Sequence, residues 1–236
     1  MNTPILTAKN LTKHYGTKHA LENFNITARG DRVIGLLGPN GSGKTTFLKI
    51  TAGLVKATSG EILLYGLPPG PRTKARVSFM STEEYLYAAM RVKGVMNYFA
   101  DMFPDFERKK CLLYLPRFNL TPEMKVRDLS TGMRAGLKLV LAFSRGAGAV
   151  LLDEPLNGID VVLRDLVLEM IRTERREDRV IFVTSHLVDD LESVVDEAVF
   201  IDRGIAVLSG SVSEMTAERG CSLEDIYREV YRGKIN

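Results

Sequence analysis

Residues 38–46 read GPNGSGKTT, after the compact apolar run RVIGLLG (Arg32–Gly38) and before TTFLKITAGL (Thr45–Leu54). The apolar run is short, ends in glycine and suits a buried central strand; the second stretch reads as a helix closed by Gly53. Gly38, Gly43, Lys44 and Thr45 satisfy G-x-x-x-x-G-K-[ST]. Glycines let consecutive backbone N–H groups wrap phosphate oxygens, the lysine sets a charge against the β/γ oxygens, and the threonine hydroxyl reaches Mg²⁺. Pro39, Asn40, Gly41, Ser42 and Thr46 complete the loop. The strand–loop–helix order is the context this motif requires, so the stretch implies a nucleoside triphosphate site.

Working outward, GAVLLDEP (Gly148–Pro155) reads as a buried strand ending in two carboxylates. Parallel sheets present ligands at the carboxyl ends of their strands, which puts Asp153 where Mg²⁺ would sit. Glu154 follows, so its side chain points elsewhere and is free to polarise a water for in-line attack. RVIFVTSH (Arg179–His186) is another buried strand, and His186 at its end can donate to a γ-phosphate and hold that water. Tyr15, in KHYG, either stacks on a base or packs a strand edge; the residues alone leave both open.

The flanking chain has α/β texture. ILTAKNLTKHYG (5–16), ALENFNITARGD (20–31), GEILLYG (60–66) and ARVSFMS (75–81) read as strands. Around residues 85–143 the pattern turns helical, interrupted at Pro104, Pro116 and Pro122, as in a helical insertion. Residues Val161–Arg176 form an amphipathic helix with Leu163, Leu166, Val167, Met170 and Ile171 on one face. EAVFIDRGIAVLSG (197–210) reads as a hairpin turning at Arg203-Gly204, and two short helices finish the chain. His14, His19, Asp189 and Asp190 are expected on the solvated surface, and ERREDR (174–179) as an exposed helix end. LSTGMRAGL (129–137) carries helix-capping Ser130 and Thr131, then Gly132, ahead of an apolar-periodic helix. It resembles a second anion site at a helix N-terminus, without an obvious ligand in its own chain.

Composition narrows the class. Of 236 residues, 45% are hydrophobic and 26% charged, with a net charge of +3, so nothing favours nucleic acid or an acidic membrane surface. Cys111 and Cys221 lack metal spacing and suit reduced cytosolic thiols. MNTPILTAKN has no signal-peptide pattern, and no uncharged apolar run approaches the roughly 18 residues of a membrane span.

GPNGSGKTT, LSTGMRAGL, VLLDEP, NGID and TSH, in that order, resemble the nucleotide-binding subunit of an ATP-binding cassette (ABC) transporter. The resemblance covers essentially the whole chain. LSTGM in place of the commoner Leu-Ser-Gly-Gly-Gln, VMNYFADMFPDF and SLEDIYREVY make it most similar to subunits of small ABC-2-type exporters. It implies an α/β fold: a P-loop NTPase (RecA-like) core with a mostly parallel sheet, an N-terminal antiparallel β region and a helical subdomain insertion. The core and β region would occupy about residues 1–84 and 146–236, the insertion about 85–145, in one nucleotide-binding domain. It also implies that Tyr15 stacks on adenine, Gly38–Thr46 bind the phosphates, Asp153 and Thr45 hold Mg²⁺, Glu154 is the catalytic carboxylate and His186 the switch histidine. Asp160 would lie at a dimer seam, and Ser130, Thr131 and Gly132 would contact ATP held by the opposite subunit.

Two positions depart from the family pattern. Thr82 stands where a glutamine normally senses Mg²⁺ and contacts the membrane partner; Thr82 is too short for both, and Glu83 is the alternative donor. Met133 replaces the signature glutamine, leaving the anion-binding elements in place. The implied protein hydrolyses ATP, uses Mg²⁺, pairs with a second nucleotide-binding subunit and drives a separate permease from the cytoplasmic face, with export favoured and no nucleic acid expected. The alternatives are a soluble ABC-type ATPase acting on ribosomes or DNA, and an ATP-binding subunit with weak hydrolysis.

Overall fold

Unbroken apolar runs give each central strand two buried faces. In the computed structural model, which describes residues 3–232, the chain runs β1 (Leu6–Tyr15), β2 (Lys18–Ala28), β3 (Arg32–Leu37), α1 (Lys44–Thr51), β4 (Ser59–Leu64), α2 (Pro71–Lys74), β5 (Val77–Met80), α3 (Val92–Met102), α4 (Arg108–Tyr114), α5 (Thr131–Phe143), β6 (Ala149–Asp153), α6 (Val161–Thr173), β7 (Val180–Ser185), α7 (Val188–Glu192), β8 (Glu197–Asp202), β9 (Ile205–Ser211), α8 (Val212–Arg219) and α9 (Leu223–Tyr231). One sheet is antiparallel, in the order β2-β1-β4. The other runs β5-β6-β7-β3-β8-β9; its first five strands are parallel and β9 returns antiparallel to β8. The fold is that of a P-loop NTPase, as the resemblance implied.

Ile34, Leu36, Leu151 and Phe182 point toward α1 and the small sheet, meeting Phe47, Leu48, Leu11 and Phe24. Their strand neighbours Val33, Leu37, Val150, Leu152, Ile181 and Val183 point the other way, onto α5 and α6. Leu37 pairs with Ser185 and Asp153 with Thr184, so β3, β6 and β7 end level at one edge. The loops leaving that edge therefore converge beside β3, where the strand order turns in both directions. Arg203 (φ +47) and Gly204 (φ +84) make the left-handed two-residue turn expected between β8 and β9.

The structure differs from the sequence expectations in several places. Helix α4 ends at Tyr114, two residues before Pro116, which lies inside a 3₁₀ turn, Leu115–Phe118, that follows directly on it. Helix α6 stops at Thr173, three residues early, and Leu168 joins its buried face. The ERREDR run is not an exposed helix end. Glu174 and Arg179 are buried and paired at 2.6 Å, and Lys110 and Tyr114 of α4 each donate to Glu174 at 2.6 Å. Arg179 also donates to the carbonyls of Ala147, Glu174 and Arg145. A charge run looks solvated when its own members are read without the partners that cover them. Asp190 likewise pairs with Arg164, at 3.0 Å. Helices α2 and α7 are too short to leave a periodic signal. Among the described residues no helix is long and apolar enough to cross a membrane.

Candidate phosphate-binding site

The loop after β3 is held by close backbone packing. Gly43 has φ +116, and a Cβ there would lie 2.4 Å from the Ala20 carbonyl oxygen of β2, so only glycine fits. Gly43 offers α1 no side-chain cap, and no acidic residue occupies the first helical turn. The leading N–H groups and positive dipole end of α1 are thus left for an anion. They open on a 580 Å³ cleft walled by residues 40–46 with Tyr15, Lys18, Ala20, Thr82, Glu154, Asn157 and His186.

Lys44 is buried, its ammonium donating to the Gly38 and Pro39 carbonyls at 2.6 and 3.2 Å and lying 3.6 Å from Glu154 Oε1. Burial lowers its proton affinity, the Glu154 and Asp153 charges pull it partway back, and the net direction is below the ordinary lysine value. Gly38 and Pro39 are therefore not walls of the cleft; their carbonyls hold the ammonium.

Asp153 is fully buried and, among the described residues, accepts only from hydroxyls: Thr45 Oγ1 at 2.9 and 3.1 Å, Thr184 Oγ1 at 2.9 Å and Thr82 Oγ1 at 3.3 Å. This all-oxygen set around a buried carboxylate fits a small hard cation such as Mg²⁺. Ser42 adds a buried hydroxyl with no partner among the described residues. Glu154 sits at φ +50, a left-handed conformation costing a non-glycine residue on the order of 1 kcal/mol. Its N–H donates to Thr184 Oγ1 at 2.8 Å, and its Oε2 lies 2.9 Å from His186 Nδ1. Thr184 thus ties the Asp153 carboxylate, through its donor, to the Glu154 backbone N–H, through its acceptor.

Of the two candidates at the departing position, Thr82 reaches Asp153, whereas Glu83 turns away to pair with Lys49 at 2.6 Å. Ser130, Thr131, Gly132 and Asp160 do not line the cleft. Ser130 caps α5 by accepting from the Met133 N–H at 3.2 Å, with Thr131 next, and Asp160 caps α6 through the Leu163 N–H at 3.0 Å. A Cβ on Gly132 would meet Leu163 Cδ1 at 2.7 Å, which packs α5 against α6. Sequence reasoning missed Thr184, Lys18 and Asn157. Only Thr184 left a trace, as a polar residue at the end of an otherwise apolar strand.

A P-loop at the switch point of a mostly parallel sheet, facing a strand-end aspartate, defines a P-loop NTPase fold. The ABC transporter family pattern matches residues 21–157, and the chain belongs to that family. It is 31% identical over 201 residues to the ABC transporter ATP-binding protein YtrB of Bacillus subtilis, covering 84% of this chain and 69% of the relative. It is 30% identical over 249 residues to the Nod factor export ATP-binding protein I of Ralstonia nicotianae, covering 96% and 73%. Among solved structures, an ATP-binding subunit of an ABC transporter superposes with a TM-score of 0.86 at 22% identity, over 97% of this chain and all of that one. The cassette MJ0796, in a dimeric post-hydrolysis state bound to ADP and Pi, superposes with a TM-score of 0.78 at 19% identity, over 87% and 98%.

Proposed function

We propose that the chain is the ATP-hydrolysing subunit of an ABC transporter, closing with a second nucleotide-binding subunit around two ATP molecules to drive a separate permease. The observation that carries this is the division of phosphate-facing groups. The loop, Lys44, Glu154 and His186 wall one cleft, with Asp153 bonded to Thr45 beneath it, while the capped N-terminus of α5 stands apart from that cleft. Two half-sites in one chain make whole sites only in pairs.

In this reading the α1 N-terminus and residues 40–46 bind the phosphates, Lys44 moves from the Gly38 and Pro39 carbonyls to the β/γ oxygens, and Tyr15 faces the base. Thr45, Asp153 and Thr82 would hold Mg²⁺, which neutralises charge on the phosphate oxygens when bound. Glu154 orients a water and takes its proton as the water oxygen attacks the γ-phosphorus and the bond to the β-phosphate oxygen breaks, giving ADP and phosphate. His186 holds Glu154 on one side and reaches the γ-phosphate on the other. Ser130, Thr131 and Gly132 close on the opposite subunit's γ-phosphate, with Asp160 at the seam.

Residues 1–236 act as one nucleotide-binding domain with a helical subdomain at about 85–145. A 540 Å³ cleft whose lining includes Glu83, Tyr85, Tyr87, Tyr98 and Phe103 supports a permease partner, which would hold the subunit on the cytoplasmic face of the membrane. The naming of one relative for Nod factor export supports export as the direction.

Glu154→Gln tests the reading. It should lower ATP turnover by roughly 10²–10⁴ while ATP affinity stays unchanged. Equal turnover in the variant and wild type would remove Glu154 from catalysis.

A further inference from the structure

His14 and His19 were expected on the solvated surface; the fold gathers them with Glu22. His14 on β1 stands directly opposite His19 on β2 in the antiparallel register, and their rings stack with centroids 4.0 Å apart. The register slips between Lys13 and His14, so β2 spends an extra residue between Leu21 and His19. That bulge brings Glu22, three positions along, onto the face of His19 instead of the opposite one. Glu22 Oε2 then lies 3.1 Å from His14 Nε2 and 3.0 Å from His19 Nδ1, and each of the three residues offers a ligand atom within 4.8 Å of the other two.

We propose that His14, His19 and Glu22 form a binding site for a divalent transition-metal ion of the Zn²⁺ class, with a fourth coordination position open to solvent. Two imidazole nitrogens and a carboxylate oxygen are a borderline donor set that suits Zn²⁺ and disfavours Mg²⁺ or Ca²⁺. Tetrahedral ligands about 2.05 Å from zinc stand roughly 3.3 Å apart, close to the 3.1 and 3.0 Å that separate Glu22 Oε2 from the two ring nitrogens; binding would turn the two imidazoles out of their stack so that both lone pairs meet at the ion.

The site is anchored from both sides. The His14 N–H donates to Thr58 Oγ1 at 3.0 Å, and the Glu22 N–H donates to the Gly204 carbonyl at 2.9 Å. An ion bridging His14 and His19 closes a staple around the four-residue turn Tyr15-Gly16-Thr17-Lys18, two of whose members, Tyr15 and Lys18, wall the phosphate cleft. Ala20, within the bulge, packs its carbonyl against Gly43 of the phosphate loop. The metal site itself does not depend on the nucleotide reading, and its test uses nucleotide-free protein.

The experiment is calorimetric titration of ZnCl₂ into the full chain, free of any affinity tag and stripped with chelator, with hydrogen exchange followed in parallel. The expected result is one saturable Zn²⁺ per chain, undisturbed by excess Mg²⁺, with slowed amide exchange confined to residues 14–22. Glu22→Gln and the double variant His14→Gln/His19→Gln should each weaken binding by at least about tenfold, the lower end of what even indirect ligand support contributes. Their unaltered circular dichroism would show that the fold survives. Binding of equal stoichiometry and affinity in the double variant, protection elsewhere in the chain, or no saturable binding in the wild type would each overturn the proposal.

Discussion

Replacing Thr184 by valine keeps the shape of a fully buried side chain in a central strand and removes one hydroxyl. That hydroxyl donates to Asp153 at 2.9 Å and accepts the Glu154 N–H at 2.8 Å. Losing a hydrogen bond to a charged group costs about 1.5–3 kcal/mol, and stranding a partly buried N–H about 1–3 kcal/mol. The extra buried methyl returns about 1 kcal/mol, so Thr184→Val should destabilise by about 1.5–5 kcal/mol. Thr184→Ser keeps the hydroxyl and deletes a methyl, for about 1 kcal/mol. Urea unfolding followed by far-ultraviolet circular dichroism measures both. In the same proteins, kcat of ATP hydrolysis should fall on the order of tenfold in the valine variant, with KM little changed, because Glu154 loses its orientation and not its substrate contacts. A valine variant within about 0.5 kcal/mol of wild type, or a serine variant as damaged as the valine one, would refute the view that this hydroxyl organises the site.

Glu174→Gln should destabilise at neutral pH by about 3 kcal/mol, since it leaves the buried Arg179 guanidinium without its counter-charge. Burial pushes the Glu174 carboxyl up, but hydrogen bonds from Lys110 and Tyr114 and the charges of Lys110 and Arg179 outweigh it and set it below its ordinary 4.5. Its contribution is therefore present above about pH 4.5 and lost as pH falls through the lowered value, so the gap between wild type and variant should close in acid unfolding curves. Burial also pushes the Cys111 thiol up to about 11, so one fast thiol per native chain, Cys221, should react with a thiol reagent at pH 8, and two after denaturation. Gly43→Ala forces a Cβ to within 2.4 Å of the Ala20 carbonyl and should abolish ATP binding by fluorescence titration while the helical signal persists.

The fold was legible because its decisive signals are local. An apolar run, a glycine loop and a helical pattern are written within residues 32–54, and period-two strands with glycine turns announce the rest. The site was legible where each residue closes a strand: Asp153, Glu154 and His186 meet because β6 and β7 end in register. The ordered motifs also named the family, which no single motif could. What escaped depends on residues far apart in the chain. Arg179 looked solvated because nothing within ERREDR shows that Lys110 and Tyr114 of α4 cover Glu174. Asn157 and Lys18 reach the cleft from loops whose course is set by packing alone. His14, His19 and Glu22 meet through a register slip between strands, which alternation cannot reveal. Between Thr82 and Glu83 the choice came from Lys49, 34 residues away, which draws Glu83 aside.

The central claim, that each chain carries two halves of different ATP sites, is tested most directly by light scattering on the Glu154→Gln variant with and without saturating ATP. The account predicts a 26.3 kDa monomer that doubles in mass with ATP, and no doubling once Ser130→Arg is added to the same variant. A Glu154→Gln protein that binds ATP and still scatters as a monomer would contradict it.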